Sequence, residues 1–315
     1  GTGVNTAILT ISELEPFDFG SVANGTNNLQ TFVLSNIGGT AATAIAATGM
    51  AAPFGFNISG VFPGTGAGTC TTTIAPSGSC NIVIDFNPTT TGFHNTVLTL
   101  NYNNGSVMTS IAKTLDGESR APAVIDISDT PVYDFQTQAL NADVSHEFTL
   151  TNTGAITATG LAGSVTSLPF LFKGGSYPGS GGTCSLNLLP LATCTIVVNF
   201  DPTGLGPSTE SVSINYFDGS NPQVSTVDVT GVGANPASVT ISDTDAYDFG
   251  LVAVGSSSEH TFTLTNGGGV PATGLVESTL AAPFKYKDGG SGNVYPGDGG
   301  NCGAVIPDTV GNTCD

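Results

Sequence analysis

Tryptophan is absent from this 315-residue chain, and charge is scarce. Only 9% of residues are charged, with 5 Lys or Arg against 24 Asp or Glu, for a net charge of −19. An average soluble domain carries about 25% charged residues. So few cations leave no basic patch, and the acidic surplus repels nucleic acid and anionic lipid, so DNA- and RNA-binding readings fall away. No stretch approaches the ~20 apolar residues of a membrane-spanning helix, which argues against membrane insertion. No signal peptide opens the chain, which excludes nothing if it begins at a mature terminus. A helical 3.6-residue stripe is missing throughout. With it goes the strand-to-helix setting that a phosphate-binding glycine loop or a GxSxG nucleophile elbow requires.

What is present is 43 Gly, 18 Pro, 39% hydrophobic residues and six cysteines. Thr, Ser, Asn and Gly fill the room left by charge, a mixture suited to strands with a polar outer face and turns at positive φ. The chain also repeats itself. ISDTPVYDF opens at Ile127 and ISDTDAYDF at Ile241, 114 residues apart, with Phe17-Asp18-Phe19 as a weaker counterpart. TFVLSN, EFTLTN and TFTLTN end at Asn36, Asn152 and Asn266, each followed within two residues by Gly. PFGFNISGVFPGTGAGTC aligns with PFLFKGGSYPGSGGTC and PFKYKDGGSGNVYPGDGGNC, and CNIVIDFNPTTTG with CTIVVNFDPTGLG. Ordered blocks at one spacing define three units: 1–120, 121–235 and 236–315.

Period-two alternation marks strands with one buried face. Phe32 and Leu34, Phe148 and Leu150, and Phe262 and Leu264 share faces. So do Ile82, Ile84 and Phe86, and Ile196, Val198 and Phe200. Leu98, Leu100 and Tyr102 form a further inward row, matched by Val212, Ile214 and Tyr216. Phe19, Phe135 and Phe249 are core by the same parity. About seven short strands per unit, separated by Gly/Pro/Asn turns, make the chain all-β: tandem immunoglobulin-like sandwiches with one disulfide each. The linkers at Arg120-Ala121-Pro122 and Asn235-Pro236 are short enough to predict a semi-rigid rod. The third unit is incomplete, since it reaches Cys314-Asp315 without the three strands that follow in its predecessors. It is expected to be part of a longer array, or to be completed by a strand from a neighbouring molecule.

The six cysteines fall in close pairs, Cys70 with Cys80, Cys184 with Cys194 and Cys302 with Cys314. Without a histidine or second cysteine cluster for zinc, they read as disulfides in an oxidising compartment. Cys80 and Cys194 share the parity of the inward residues, so the bridge is expected to face the core or cap the sandwich. Loop closure over about 11 residues is worth roughly 3 kcal/mol per unit. His146 and His260 are equivalent, with Gln30 at that place in unit one, and His94 stands alone; their recurrence reads as structural. The lysines at 113, 173, 285 and 287 do not recur in every unit, which argues against an isopeptide staple. Catalytic residues are expected to be absent, and so is a cofactor. Calcium is the one ligand left open, at Asp288 and Asp298 in the loop DGGSGNVYPGDGG.

On the FxLxN strands (Phe148 to Asn152, Phe262 to Asn266), the turns Phe62-Pro63-Gly64, Tyr177-Pro178-Gly179 and Tyr295-Pro296-Gly297, and the run CTIVVNFDPTGLG, the repeats resemble a known family. It is the choice-of-anchor D type of bacterial surface-protein repeat, with the wider abnormal-spindle/hydin (ASH) class of immunoglobulin-like domains. The resemblance implies a secreted or surface-attached bacterial protein. The leading expectation is a non-enzymatic structural or adhesive part of an extracellular stalk, fibre or filament, which associates with itself or with neighbouring domains of its array. The alternative is a glycan- or protein-binding module of a larger secreted protein or enzyme.

Overall fold

The computed structural model describes residues 3–58, 60–165, 168–243, 246–278, 280–287, 294–309 and 312–315, and among them there is no α-helix. Unit one has eight strands: β1 (Leu9–Ile11), β2 (Phe17–Ala23), β3 (Asn28–Asn36), β4 (Thr43–Thr48), β5 (Phe54–Phe56), β6 (Ser79–Phe86), β7 (Gly92–Asn103) and β8 (Met108–Arg120). One sheet runs β1-β3-β6-β5 and the other β2-β8-β7-β4. Unit two repeats the plan with β9 (Ile125–Ile127), β10 (Val132–Ala139), β11 (Val144–Asn152), β12 (Ala158–Ser164), β13 (Phe170–Phe172), β14 (Asn187–Leu188), β15 (Thr193–Phe200), β16 (Gly206–Phe217) and β17 (Pro222–Ala234). Its sheets run β13-β15-β11-β9 and β10-β17-β16-β12-β14. These are immunoglobulin-like sandwiches.

The strand count exceeds seven because the first strand divides, and unit two adds β14 where unit one has only the Ala42–Ile74 bridge. β1 pairs antiparallel with β3, then the chain crosses to the other sheet, where β2 runs parallel to β8. β9 and β10 do the same against β11 and β17. Each crossover passes through a non-glycine residue at positive φ, Glu13 (70°) or Asp129 (61°), with Asp243 (68°) at the same place in unit three. A short strand switching sheets ties the two faces together with one stretch of chain.

The aromatic-Asp-Phe motif makes this second half-strand. Phe19 and Phe135 enter the core at 7% and 3% exposure. The Asp between the aromatics caps a bulge where the parallel register shifts. Asp18 Oδ1 accepts from Gly20 N (2.8 Å), Asp134 Oδ1 from Gln136 N (2.7 Å) and Asp248 Oδ1 from Gly250 N (2.8 Å). The donating residue is left-handed in all three, Gly20 at φ 76°, Gln136 at 62° and Gly250 at 69°.

The inward rows pack as parity demands: Phe32, Leu34, Ile82, Ile84, Phe86, Leu98 and Leu100 are fully buried, as are Phe148, Leu150, Ile196, Val198, Phe200, Val212 and Ile214. Burying one such side chain contributes about 1.5–3 kcal/mol. Unit three departs from this. It holds β18 (Val239–Ile241), β19 (Leu264–Asn266) and β22 (Thr313–Cys314) in one sheet, and β20 (Ala272–Thr273) with β21 (Val305–Ile306) in a second. Its buried cluster is Ala272, Cys302, Ile306 and Cys314. Phe262 is 37% exposed and Phe284 56%, where their counterparts Phe148 and Phe170 are at 0%. Phe249, expected in the core, is only half-buried. The parity is right, but the described residues supply no counterparts of β16 and β17 to cover that face.

Gln136 is a natural test of the bulge, because units one and three place Gly there. A left-handed residue with a Cβ costs about 1–2 kcal/mol, against the smaller entropic cost of glycine. Gln136→Gly is therefore expected to stabilise unit two by about 0.5–1 kcal/mol. Denaturant unfolding checks this; an unchanged or lower midpoint means the bulge carries no strain.

Candidate functional site

Three repeated constellations and one cleft gather the polar chemistry of the molecule. The first is the asparagine closing each FxLxN strand. Asn36, Asn152 and Asn266 are 1%, 0% and 0% exposed. Asn152 Oδ1 accepts from Val124 N (3.3 Å) and Gly154 N (3.0 Å), while its Nδ2 donates to Ile156 O (2.8 Å) and Leu188 O (2.9 Å). Asn36 does the same with Ile8 N, Gly38 N, Thr40 O and Ile74 O. Asn266 follows with Ser238 N, Gly268 N, Val270 O and Ile306 O. One carboxamide thus holds the incoming chain, the turn after its own strand and the edge of the opposite sheet.

The glycine two residues on is equally constrained. A Cβ on Gly38, Gly154 or Gly268 would lie 2.1, 2.1 or 2.2 Å from the carbonyl oxygen of Thr6, Pro122 or Pro236. The linker therefore packs directly on the turn. In units one and two a tyrosine adds a further tie, as Leu9 N donates to Tyr102 Oη and Ile125 N to Tyr216 Oη, both at 3.3 Å.

The second constellation is the disulfide. Cys70–Cys80, Cys184–Cys194 and Cys302–Cys314 are bonded, with S–S lengths of 2.02, 1.97 and 2.06 Å. The later cysteine faces Leu34, Leu150 or Leu264 in register. Cys70, Cys184 and Cys302 reach it from the glycine-rich loop and are 5%, 7% and 5% exposed. Each bridge thus faces inward: five of the six cysteines belong to the buried clusters and Cys80 packs against one.

The third is a histidine at the sheet crossover. His146 stacks on Tyr133 with ring centroids 3.6 Å apart, and its Nε2 lies 3.2 Å from Asp129 Oδ2. His260 stacks on Tyr247 at 3.7 Å and meets Asp243 at 3.0 Å. Hydrogen bonds from Ser128 and then His146 hold the Asp129 carboxyl below its ordinary range; His260 and then Ser242 do so for Asp243. Unit one, with Gln30 and Phe17, uses another device. Lys113, only 3% exposed, donates its ammonium protons to Glu13 O (2.8 Å) and Leu14 O, with the Glu15 carboxylate 3.6 Å away. Its counterpart in unit two is the buried Val227. A lone lysine in a strand otherwise alternating cleanly was the signal for this latch.

His94, by contrast, is half-buried on the inward face of β7, its ring 5.8 Å from that of Phe86, and its Nε2 donates to Thr90 O (3.0 Å). Of the calcium candidates, Asp288 lies outside the described residues. Asp298 is exposed, its N–H given to Lys287 O at 2.6 Å. Among the described residues no group of three or more His, Cys, Asp or Glu side chains converges in a metal-binding arrangement. No helix among them is long and apolar enough to cross a membrane.

The cleft lies between units one and two, about 1070 Å³ in volume. Its walls are the turn after β2, the segment leading into β12, and the β16–β17 hairpin. At the hairpin tip burial pushes the Asp218 carboxyl up, but bonds from Asn221 N, Ser220 N and Gln223 Nε2 outweigh it and hold it low. Sequence reading passed over this cleft because its walls come from parts of two units that no single repeat block contains.

With this geometry in view, the family model for HYDIN/CFA65/VesB-like Ig-like domains matches residues 11–117. The match falls on unit one and places that stretch in an immunoglobulin-like class related to ASH domains. No curated protein matches the chain. Among solved structures, a protein of unknown function from Porphyromonas gingivalis W83 is 10% identical at a TM-score of 0.28, covering 71% of this chain and 99% of that one. The ASH/PapD-like domain 7 of human CEP192 is 19% identical at 0.29, covering 38% and 91%. The VesB protease of Vibrio cholerae is 17% identical at 0.28, covering 35% of this chain and 32% of the protease. At scores this low none of them bears on what this chain does.

Two outcomes are expected here. Asn152→Ala strands buried partners on both sides and should cost unit two about 3 kcal/mol, and Asn152→Asp no less, since it turns a carboxylate oxygen, an acceptor, toward the two carbonyls of Ile156 and Leu188. Chemical denaturation measures both. The Asp129 carboxyl titrates lower folded than unfolded, so the unfolded chain binds more protons at acid pH. Its contribution, at most about 1 kcal/mol for so exposed a pair, is present above the ordinary aspartate value and lost as pH falls through the depressed one. The stability gap between wild type and Asp129→Asn should therefore narrow as pH falls below the ordinary aspartate value and vanish only below the depressed one.

Proposed function

We propose that the chain is a non-enzymatic structural or adhesive component of a bacterial extracellular stalk, fibre or filament, of the choice-of-anchor D kind its motifs resemble. The carrying observation is the junction between units. Ala155 N donates to Ala121 O, Ala123 N to Asp218 O and Gly269 N to Asn235 O, so each linker is bonded into the unit it leads to. Buried asparagine and close-packed glycine complete the hold. A chain built to transmit position along its length needs such joints, whereas flexible tethers leave their linker backbone to water. One disulfide per unit suits exposure to proteases and an oxidising exterior. The low lysine content fits the same setting.

Unit three suggests how such arrays join. Phe262, Phe284, Ile241 and Leu251 are exposed. Strands of the β15 to β17 pattern, contributed by neighbouring domains of the array or by another copy, would cover them, since an exposed apolar sheet face invites pairing.

Electron microscopy of the native material is the direct test, with rods or filaments of beaded units expected. Mass spectrometry with and without reductant should find three intramolecular bridges. Compact isolated particles, or free thiols in the native protein, overturn the proposal.

A further inference from the structure

We propose that the cleft between units one and two is a binding site for a neutral oligosaccharide. This does not rest on the array being a stalk, because the cleft needs only the two units that form it. Clefts that hold small ligands run to about 300–1,000 Å³, and this one, open to solvent at about 1070 Å³, is just above that range.

Its chemistry sets it apart from the surrounding surface. The chain carries 24 acidic residues, yet none of them lines the cleft. The one charged side chain there is Arg120, the only arginine of the chain. It is already neutralised, with Nη2 2.8 Å from Glu118 Oε2. The walls are otherwise hydroxyls, carboxamides and small apolar groups, among them the exposed Asn27, Thr159 and Asn221. Phe217 stands among them, 41% exposed, in a molecule whose other unit-two phenylalanines are buried. An aromatic face beside amides and hydroxyls matches a sugar ring, which has an apolar C–H face and a rim of hydroxyls. An uncharged site on a strongly acidic molecule selects against anionic ligands.

Extended peptides bind by adding to a free strand edge. On one wall Thr159 is paired with Phe217 and Phe217 with Pro222, which leaves no edge there. On the other, Ser21 to Ala23 lie on β2, the outer strand of its sheet, paired with β8 alone. Three residues of edge give an extended peptide little to pair with, and the rest of the wall is turns, so recognition falls to side chains. The two units meet closely beneath it. A Cβ on Gly219 would lie 2.8 Å from Ile156 Cγ2 and 3.2 Å from Ala23 Cβ, which fixes the distance between the walls.

The test is calorimetric titration of the full chain with short neutral oligosaccharides of glucose, galactose, mannose and N-acetylglucosamine, with oligogalacturonate and a mixed peptide pool alongside. At least one neutral series should bind. Phe217→Ala should weaken it by about tenfold, as expected for an aromatic anchor. Asn27→Ala, on an exposed turn, should weaken it without altering the melting curve. Phe93→Ala, which removes a 65% exposed phenylalanine outside the cleft, should leave it unchanged. The proposal is overturned if no neutral sugar binds at about millimolar concentration. Sugar binding that survives both cleft variants, or a cleft that takes only the peptide pool or the uronate, overturns it equally.

Discussion

The structure depends on how each sandwich receives the chain that enters it. At that point several backbone N–H and C=O groups leave solvent before any strand has paired them, and unpaired they would cost free energy. One buried carboxamide meets this demand in every unit. Asparagine carries both an acceptor and a two-proton donor on a short side chain. From the end of the long third strand it can therefore accept from the linker and donate across to the opposite sheet at once. The glycine beside it lets the linker backbone come close enough to be held. The sequence blocks ending in Asn36, Asn152 and Asn266 are thus the joints of the array as well as strand endings.

The sheet crossover a few residues later shows one problem solved by different chemistry. A stretch of chain leaving one sheet for the other bends through positive φ and exposes carbonyls that no ladder satisfies. Units two and three stabilise the bend from the side, with a histidine stacked on the motif's tyrosine and bonded to the aspartate at the bend. Unit one lacks both the histidine and the tyrosine, and uses the Lys113 ammonium to gather the carbonyls of Glu13 and Leu14 directly. A buried ammonium is costly unless fully bonded, and two carbonyls, a nearby carboxylate and the Phe32 ring 5.9 Å away supply that need. A lysine at position 113, where unit two has Val227, is intelligible only with the crossover in view.

That contrast explains what could be read from the chain beforehand. Period-two parity is a local property, and it located Phe32, Ile84, Leu100 and their counterparts in unit two correctly. The inward direction of the disulfide followed from the same parity. Parity says nothing of which sheet a strand joins, so the division of the first strand was missed, and with it the bulge-capping role of Asp18, Asp134 and Asp248. It also says nothing of what lies opposite. Phe262 has the alternation of Phe148 but not its burial, because burial is a property of two sheets rather than one strand. The cleft was invisible for a related reason, since Asn27 and Phe217 are 190 residues apart and belong to different repeats.

Unit three separates these two levels of organisation. It keeps the asparagine network, the left-handed bend, the Asp248 cap, the histidine stack and the disulfide, yet has a small core and exposed phenylalanines. The shared features are bonds between segments at or near the incoming end, together with a short covalent loop. The core of units one and two depends on the long hairpins β7–β8 and β16–β17 laid across that end. The joints are therefore specified by interactions largely independent of how completely a unit is covered. In an array of such units, stability is expected to follow nearest-neighbour terms.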